Sequence, residues 1–241
     1  PAVRLPGFAA VLANQPLIAE VAGWRIVSDS DAWKAIAGST DATRQAARWN
    51  YARSLIGKGR SAEAYGVLVT MVQDDPDLSL VAAHRLALGA ALVGLGRHTD
   101  ALDALSVDQL VQNPEACAWR LRAMAALEMS AEALAQWKCA HSTIESRTGR
   151  QRDPFLLAAA HAALAEEKFG IALDLVKPLT DADPAANLIR GRALFRLGNE
   201  QEARLRLQRA AQNGTAEQQV DARVSLLEGL VANDHAKPGK A

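Results

Sequence analysis

Apolar side chains recur along most of the chain at three- and four-residue spacing, the pattern of amphipathic helices. Residues 78–113 show the unit clearly, because two such segments are joined there by the turn sequence GLGRHTDA. From Asp41 onward the same order recurs: a helix of about 16 residues, a turn, a second helix and a break marked by proline. Runs of β-branched residues are scarce. The pattern therefore predicts an all-α protein built from antiparallel helix pairs.

Each break places an Asp or Asn directly before a proline. The side-chain oxygen can cap a helix, and proline at the first helical position loses no hydrogen bond, because an N–H there has no partner within the helix. The breaks are Asp75-Pro76, Asn113-Pro114, Asp153-Pro154 and Asp183-Pro184. We expect each of them to begin the first helix of a pair.

One alanine ends the turn within each predicted pair. These turn alanines are Ala64, Ala101, Ala133, Ala172 and Ala203, spaced by 37, 32, 39 and 31 residues. Twelve residues before them stand Ala52, Gly89, Leu121, Ala160 and Gly191, and four residues after them stand Leu68, Leu105, Trp137, Val176 and Leu207. A small residue on one helix can accommodate a large one on the facing helix, so four of the five pairs predict close packing, and Leu121 departs from the rule.

This arrangement resembles the tetratricopeptide repeat, a helix hairpin of about 34 residues. The resemblance covers residues 41–214, about five repeats, and Pro76 and Pro184 match the proline that ends the family's repeat. It implies an α-solenoid, a right-handed superhelix of stacked pairs. Around that array we expect an irregular or helical N-terminal cap (1–40), a C-terminal capping helix (215–233) that turns Val220, Val224, Leu227 and Val231 inward, and a flexible tail (234–241).

The resemblance also implies that the first helices of the pairs line a concave, peptide-binding wall. Eleven residues before the turn alanines stand Arg53, Ala90, Arg122, His161 and Arg192, a mostly cationic column with apolar neighbours. We therefore predict that Trp49, Arg53, Arg122, His161, Arg192 and Phe195 contact a protein or peptide partner through apolar anchors and a carboxylate. Two alternatives stay open. The arginines are simply solvated over a packing core, or part of residues 1–40 folds inward onto this wall.

Composition removes several other classes of function. The formal net charge is zero, which argues against nucleic acid, and no apolar run is long enough for direct membrane insertion. The chain begins at Pro1, so removal of an upstream signal, anchor or domain stays open, and so does the compartment, cytoplasm or periplasm. We interpret Cys117 and Cys139 as small buried apolar residues, although antiparallel packing of their helices would bring them near each other.

No catalytic constellation stands out, and we expect no cofactor and no metal. His84, His98, His141 and His161 lack metal-ligand spacing, GKGRS and GLGRH lack the context of a phosphate loop, and the tryptophans are interpreted mainly as core residues. We expect a non-enzymatic scaffold that binds a partner protein. An envelope component of a secretion, pilus, flagellar or exopolysaccharide-export assembly is the alternative, and the regulatory arm of a larger enzyme is a third hypothesis.

Overall fold

The structure, a computed structural model, describes residues 7–236, and their side chains as far as residue 229. Within that range it has fourteen α-helices and short 3-10 helices, and the prediction of an all-α fold is confirmed. The helices are α1 (Phe8–Ala13), α2 (Asp29–Ala37), α3 (Asp41–Gly57), α4 (Ser61–Asp74), α5 (Ala82–Gly94), α6 (His98–Leu105), α7 (Pro114–Ala126), α8 (Ser130–Ala135), α9 (Trp137–Glu145), α10 (Asp153–Ala165), α11 (Phe169–Val176), α12 (Pro184–Arg196), α13 (Glu200–Asn213) and α14 (Ala216–Ala236).

The chain divides into two compact units. The first contains the residues up to Leu127 together with Ala135–Arg152, and the second contains Glu128–Leu134 and the residues from Asp153 onward. In the first unit α3 packs on α4, α5 on α6 and α7 on α9. In the second unit α10 packs on α11 and α12 on α13, and α14 packs on both α12 and α13. Neighbours in sequence are thus neighbours in space within each unit.

Three of the four proline breaks begin a helix, and one does not. The side chains of Asn113 and Asp183 accept hydrogen bonds from the third residues of α7 and α12, and α10 begins at Asp153. At Asp75 the prediction is wrong, because Pro76–Leu80 is a 3-10 helix and α5 begins only at Ala82. The Asp75 carboxylate instead accepts the backbone N–H of Ala9 at 2.9 Å.

The predicted packing of a small residue against a large one is confirmed in two helix pairs. A Cβ atom placed on Gly89 would lie 2.5 Å from the Cγ atom of Leu105, and one on Gly191 would lie 2.5 Å from the Cγ atom of Leu207. Neither helix pair could approach this closely with a larger residue in place of glycine. The spacing around the turn alanines therefore reports real interhelical contacts.

The two cysteines form a disulfide bond, so their interpretation as unbonded apolar residues is wrong. Cys117 lies on α7 and Cys139 on α9, and antiparallel packing brings their Cα atoms to 5.9 Å. This separation lies within the range that a disulfide spans without backbone movement.

The face that α14 buries is not the predicted one. Ala222 and Ser225 are buried, whereas Val220, Val224 and Leu227 are exposed. The facing helix explains this choice, because a Cβ atom on Gly229 would meet the Phe195 ring at 2.6 Å. At position 229 no side chain larger than that of glycine fits beside this ring without movement.

At the two ends the predicted boundaries are tested only in part. Helix α14 continues to Ala236, so residues 234–236 of the predicted tail are helical, whereas residues 237–241 and 1–6 lie outside the described residues, as does the side chain of Val231. No helix in the described range combines the length and the apolar character needed to cross a bilayer.

Candidate functional site

In the first unit, residues 7–28 (the N-terminal segment) lie along α3 and contact α5 and α7. A 3-10 helix, Val21–Trp24, packs on α3, and α1 packs on α5. Side chains of the helical body hold the backbone of this segment. Asn113 Nδ2 donates to the carbonyl of Ile18 at 2.9 Å, and the Ser54 hydroxyl accepts the N–H of Val27 at 3.0 Å. Side chains therefore supply the hydrogen bonds that secondary structure would otherwise provide.

Trp24 anchors the N-terminal segment. Its side chain is 2% exposed, and its indole Nε1–H donates to Glu115 Oε2 at 2.8 Å. The fully buried carboxylate of Glu115 also accepts two hydrogen bonds from Arg147, at 2.6 and 2.8 Å, and one from the hydroxyl of Thr143. A buried carboxylate is stable only when it is paired and hydrogen-bonded in this way. The tryptophan completes the donor set.

The predicted contact residues of α3 lie beneath this segment. Trp49 is 3% exposed, and the guanidinium of Arg53 lies 5.6 Å from the centroid of its ring. Phe8 and Gln15 of the N-terminal segment line the same cavity as Trp49 and Arg53. Part of residues 1–40 therefore packs over the predicted contact residues of α3, as one of the two alternatives expected at this helix.

Arg122 on α7 is partly buried and lies over Trp119, 5.3 Å from the ring centroid. Burial, with a smaller contribution from the nearby charge of Arg147, lowers the pKa of Arg122 to about 10. Removing a cation from water disfavours its charged form, and a neighbouring cation adds to that effect. The alternative of a freely solvated arginine therefore does not describe Arg122.

In the second unit, Arg192 and Phe195 line one cavity of about 620 Å³. Leu164 and Phe169 add apolar surface, and the guanidinium of Arg196 lies 5.9 Å from the centroid of the Phe169 ring. The polar residues of the lining are Arg192, Arg196, Glu200, Ser225 and Glu228. The cavity is therefore lined by aromatic rings and by charges of both signs, and ligand sites commonly combine apolar surface with a few polar groups.

Not every predicted contact residue belongs to these two clusters. The structure brings Trp49 together with Arg53, and Arg192 together with Phe195. Arg192 also donates to the Ser225 hydroxyl at 2.8 Å and lies 3.6 Å from the Asp221 carboxylate, so α14 holds its position. His161 is exposed on α10. The residues of the predicted cationic column therefore lie in different local environments.

Sequence reasoning missed the structural role of several arginines, and two of these share one spacing. Arg120 donates to the carbonyls of Leu105, Leu110 and Val111, and Arg190 donates to those of Val176 and Leu179. Both satisfy carbonyls at and beyond the end of the preceding helix, where acceptors lack a partner within the helix. Both also stand thirteen residues before their turn alanine, and this shared spacing could have predicted their common structural role from the sequence.

The described residues contain no group of three or more His, Cys, Asp or Glu side chains placed to hold a metal ion. Neither a family model, nor a curated protein, nor a solved structure matches the chain.

Proposed function

We propose that this protein is a non-enzymatic scaffold that binds an extended segment of a partner protein in the cavity of its second unit. The helix pairs of each unit are tetratricopeptide-like repeats in solenoid order. Support for the repeat comes from Gly89 and Gly191, which meet the large residues sixteen positions further along the chain.

The observation that carries the proposal is the N-terminal segment itself. This mostly non-repetitive stretch of chain packs on α3, with Trp24 as the buried anchor and with polar side chains that hydrogen-bond its backbone. It supports the proposal as an example of how a helix of this protein can hold such a stretch. In the second unit the predicted contact residues Arg192 and Phe195 line an open cavity that likewise combines aromatic and polar side chains. Its aromatic rings can accept an apolar side chain, and its charged side chains can hydrogen-bond the backbone beside that side chain.

Selection from a random displayed-peptide library tests this proposal, followed by titration calorimetry with the selected peptides. Selected sequences are expected to share one large apolar residue. Phe169→Ala should weaken their binding about tenfold to a hundredfold, the equivalent of burying one large apolar side chain. Phe169 is chosen because Phe195 also packs on α14.

Leu205→Ala is the matched control, since Leu205 is exposed on α13 and does not line the cavity. Its affinity should equal that of the original protein. If no peptide is enriched, or if Phe169→Ala binds the selected peptides undiminished, the cavity is not the partner site.

One observation favours the envelope alternative, in which this scaffold serves a secretion or export assembly. Disulfides persist in oxidising compartments and are rare in reducing ones, and α7 and α9 are joined by one. Alkylation of the protein under non-reducing conditions, directly after cell lysis in the alkylating reagent, tests this alternative by mass spectrometry. Protection of Cys117 and Cys139 is expected, and quantitative alkylation of both thiols would contradict it.

A further inference from the structure

Two arginines of the first unit are close together, and neither has a carboxylate partner among the described residues. Arg53 projects from α3, and Arg25 follows the 3-10 helix of the N-terminal segment. Both side chains line a cavity of about 420 Å³ and a second one of about 320 Å³. Two cations repel each other, so packing between the N-terminal segment and α3 must hold Arg25 and Arg53 close together.

Neighbouring arginines of the same unit are compensated. Arg48 pairs with Asp74, Arg60 with Asp29, and Arg147 with Glu115. By contrast, Arg53 donates only to the neutral side chain of Asn50, and its Nε atom is buried without a hydrogen-bond acceptor in the described part of the chain. A buried donor left unsatisfied is costly, and a second cation nearby adds to that cost.

The electrostatics agree with this geometry. Burial, and then the nearby charge of Arg25, lower the pKa of Arg53 below its ordinary value. The backbone φ of Arg25 is 24°, a value that L residues rarely adopt, so the segment holds a strained residue at this position. Strained residues persist only where the surrounding structure fixes their conformation, and they cluster at functional sites.

Hydroxyl groups complete the surroundings of the two arginines. Ser142 of α9 and Ser146, the residue that follows α9, line the larger cavity. The Ser146 hydroxyl donates to the carbonyl of Thr143 at 2.8 Å, whereas the Ser142 hydroxyl can act as a donor or an acceptor. Glu20 also lines it and is exposed to solvent. One carboxylate against two guanidinium groups leaves a net positive cavity with several hydrogen-bond donors.

We propose that Arg25 and Arg53 together bind an oxyanion, a phosphate or a carboxylate group, in the cavity lined by Ser142 and Ser146. The two guanidinium groups supply charge-assisted hydrogen bonds, and the anion compensates the charges that the protein leaves unpaired. This site is independent of the cavity in the second unit.

Thermal unfolding in sodium phosphate, compared with sodium chloride at equal ionic strength, tests the proposal. Chloride controls for simple screening of the repulsion between the arginines. At phosphate concentrations about tenfold above the dissociation constant, the midpoint should rise by about 3–5 °C relative to chloride. Sodium acetate in a parallel titration shows whether a single carboxylate suffices.

Arg25→Gln is the informative variant, because the side chain of Arg25 is exposed and its loss leaves α3 intact. It should lose the phosphate-specific shift and, in dilute chloride, unfold no earlier than the original protein, since repulsion on Arg53 is relieved. Arg53→Gln should lose the shift as well. Arg44→Gln, which removes an exposed charge from the same helix, should keep it.

The proposal is overturned if phosphate and chloride stabilise the protein equally. It is also overturned if Arg25→Gln keeps the same phosphate-specific shift as Arg44→Gln, because the anion then binds elsewhere.

Discussion

Replacing Trp24 tests whether the N-terminal segment is held onto the first unit mainly by one side chain. The indole is almost completely buried, so Trp24→Ala should weaken docking of the segment by about 3–5 kcal/mol, the usual cost of truncating a large buried aromatic residue. Part of that cost is the hydrogen bond to the Glu115 carboxylate. A hydrogen bond to a charged group contributes about 1.5–3 kcal/mol, so Trp24→Phe should lose a fraction of the total.

Hydrogen exchange followed by mass spectrometry measures this docking directly, because peptides from residues 7–28 report their own opening. A loss of 3 kcal/mol raises the equilibrium for local opening more than a hundredfold, and exchange of the protected amides should accelerate by about that factor in Trp24→Ala. Trp24→Phe should fall between this variant and the original protein.

Trp33→Ala is the matched control, since Trp33 lies nine residues away on α2, is 58% exposed and contacts the ring of Tyr51 at 5.5 Å between centroids. It should leave exchange in residues 7–28 unchanged. The reasoning is refuted if Trp24→Ala exchanges like the original protein in this segment, or if Trp33→Ala accelerates exchange there to the same extent.

Three further experiments test the packing of the first unit. Gly89→Ala should destabilise the first unit by about 1–3 kcal/mol through overpacking against Leu105. Gly66→Ala, where a Cβ atom meets nothing, should stabilise α4 by up to about 1 kcal/mol. Urea unfolding compares the two variants, and equal effects would contradict the close approach of Gly89 to Leu105. Glu115→Gln leaves the buried guanidinium of Arg147 without its anion and should cost about 3–5 kcal/mol in the same assay, so a loss below about 1 kcal/mol would refute the buried pair. Reducing the α7–α9 disulfide, whose cysteines are 22 residues apart, should lower the free energy of unfolding by about 3 kcal/mol, and identical unfolding curves with and without reductant would exclude this contribution.

Part of the candidate site followed from the sequence. The column eleven residues before the turn alanines identified Arg53 and Arg192, and the apolar positions beside it identified Trp49 and Phe195. In each unit the structure brings one such pair together. What the column could not show was that the chain's own residues 7–28 lie over the first pair. Only α1 and one turn of 3-10 helix are regular in this segment, and both are too short for their periodicity to report where the segment docks.

The sequence by itself determined the features that depend on neighbours along the chain. Helical periodicity, the caps at Asn113 and Asp183, and the positive φ angles of turn glycines such as Gly59 and Gly96 arise from contacts within a few residues. The pairing of Gly89 with Leu105 belongs here too, because two helices joined by a short turn must pack on each other.

The tertiary structure alone decided which of several locally similar residues or helix faces makes a given long-range contact. Trp24 and Trp33 look alike in the sequence, yet only Trp24 reaches a carboxylate, and that carboxylate is 91 residues away. Helix α14 has an apolar stripe, but it buries the face that carries Ala222 and Ser225, where Gly229 allows the close approach of Phe195. Asp75 carries a capping signal and is engaged by the backbone of Ala9. In each case the outcome depends on the shape and charge of a distant partner, which local pattern does not encode.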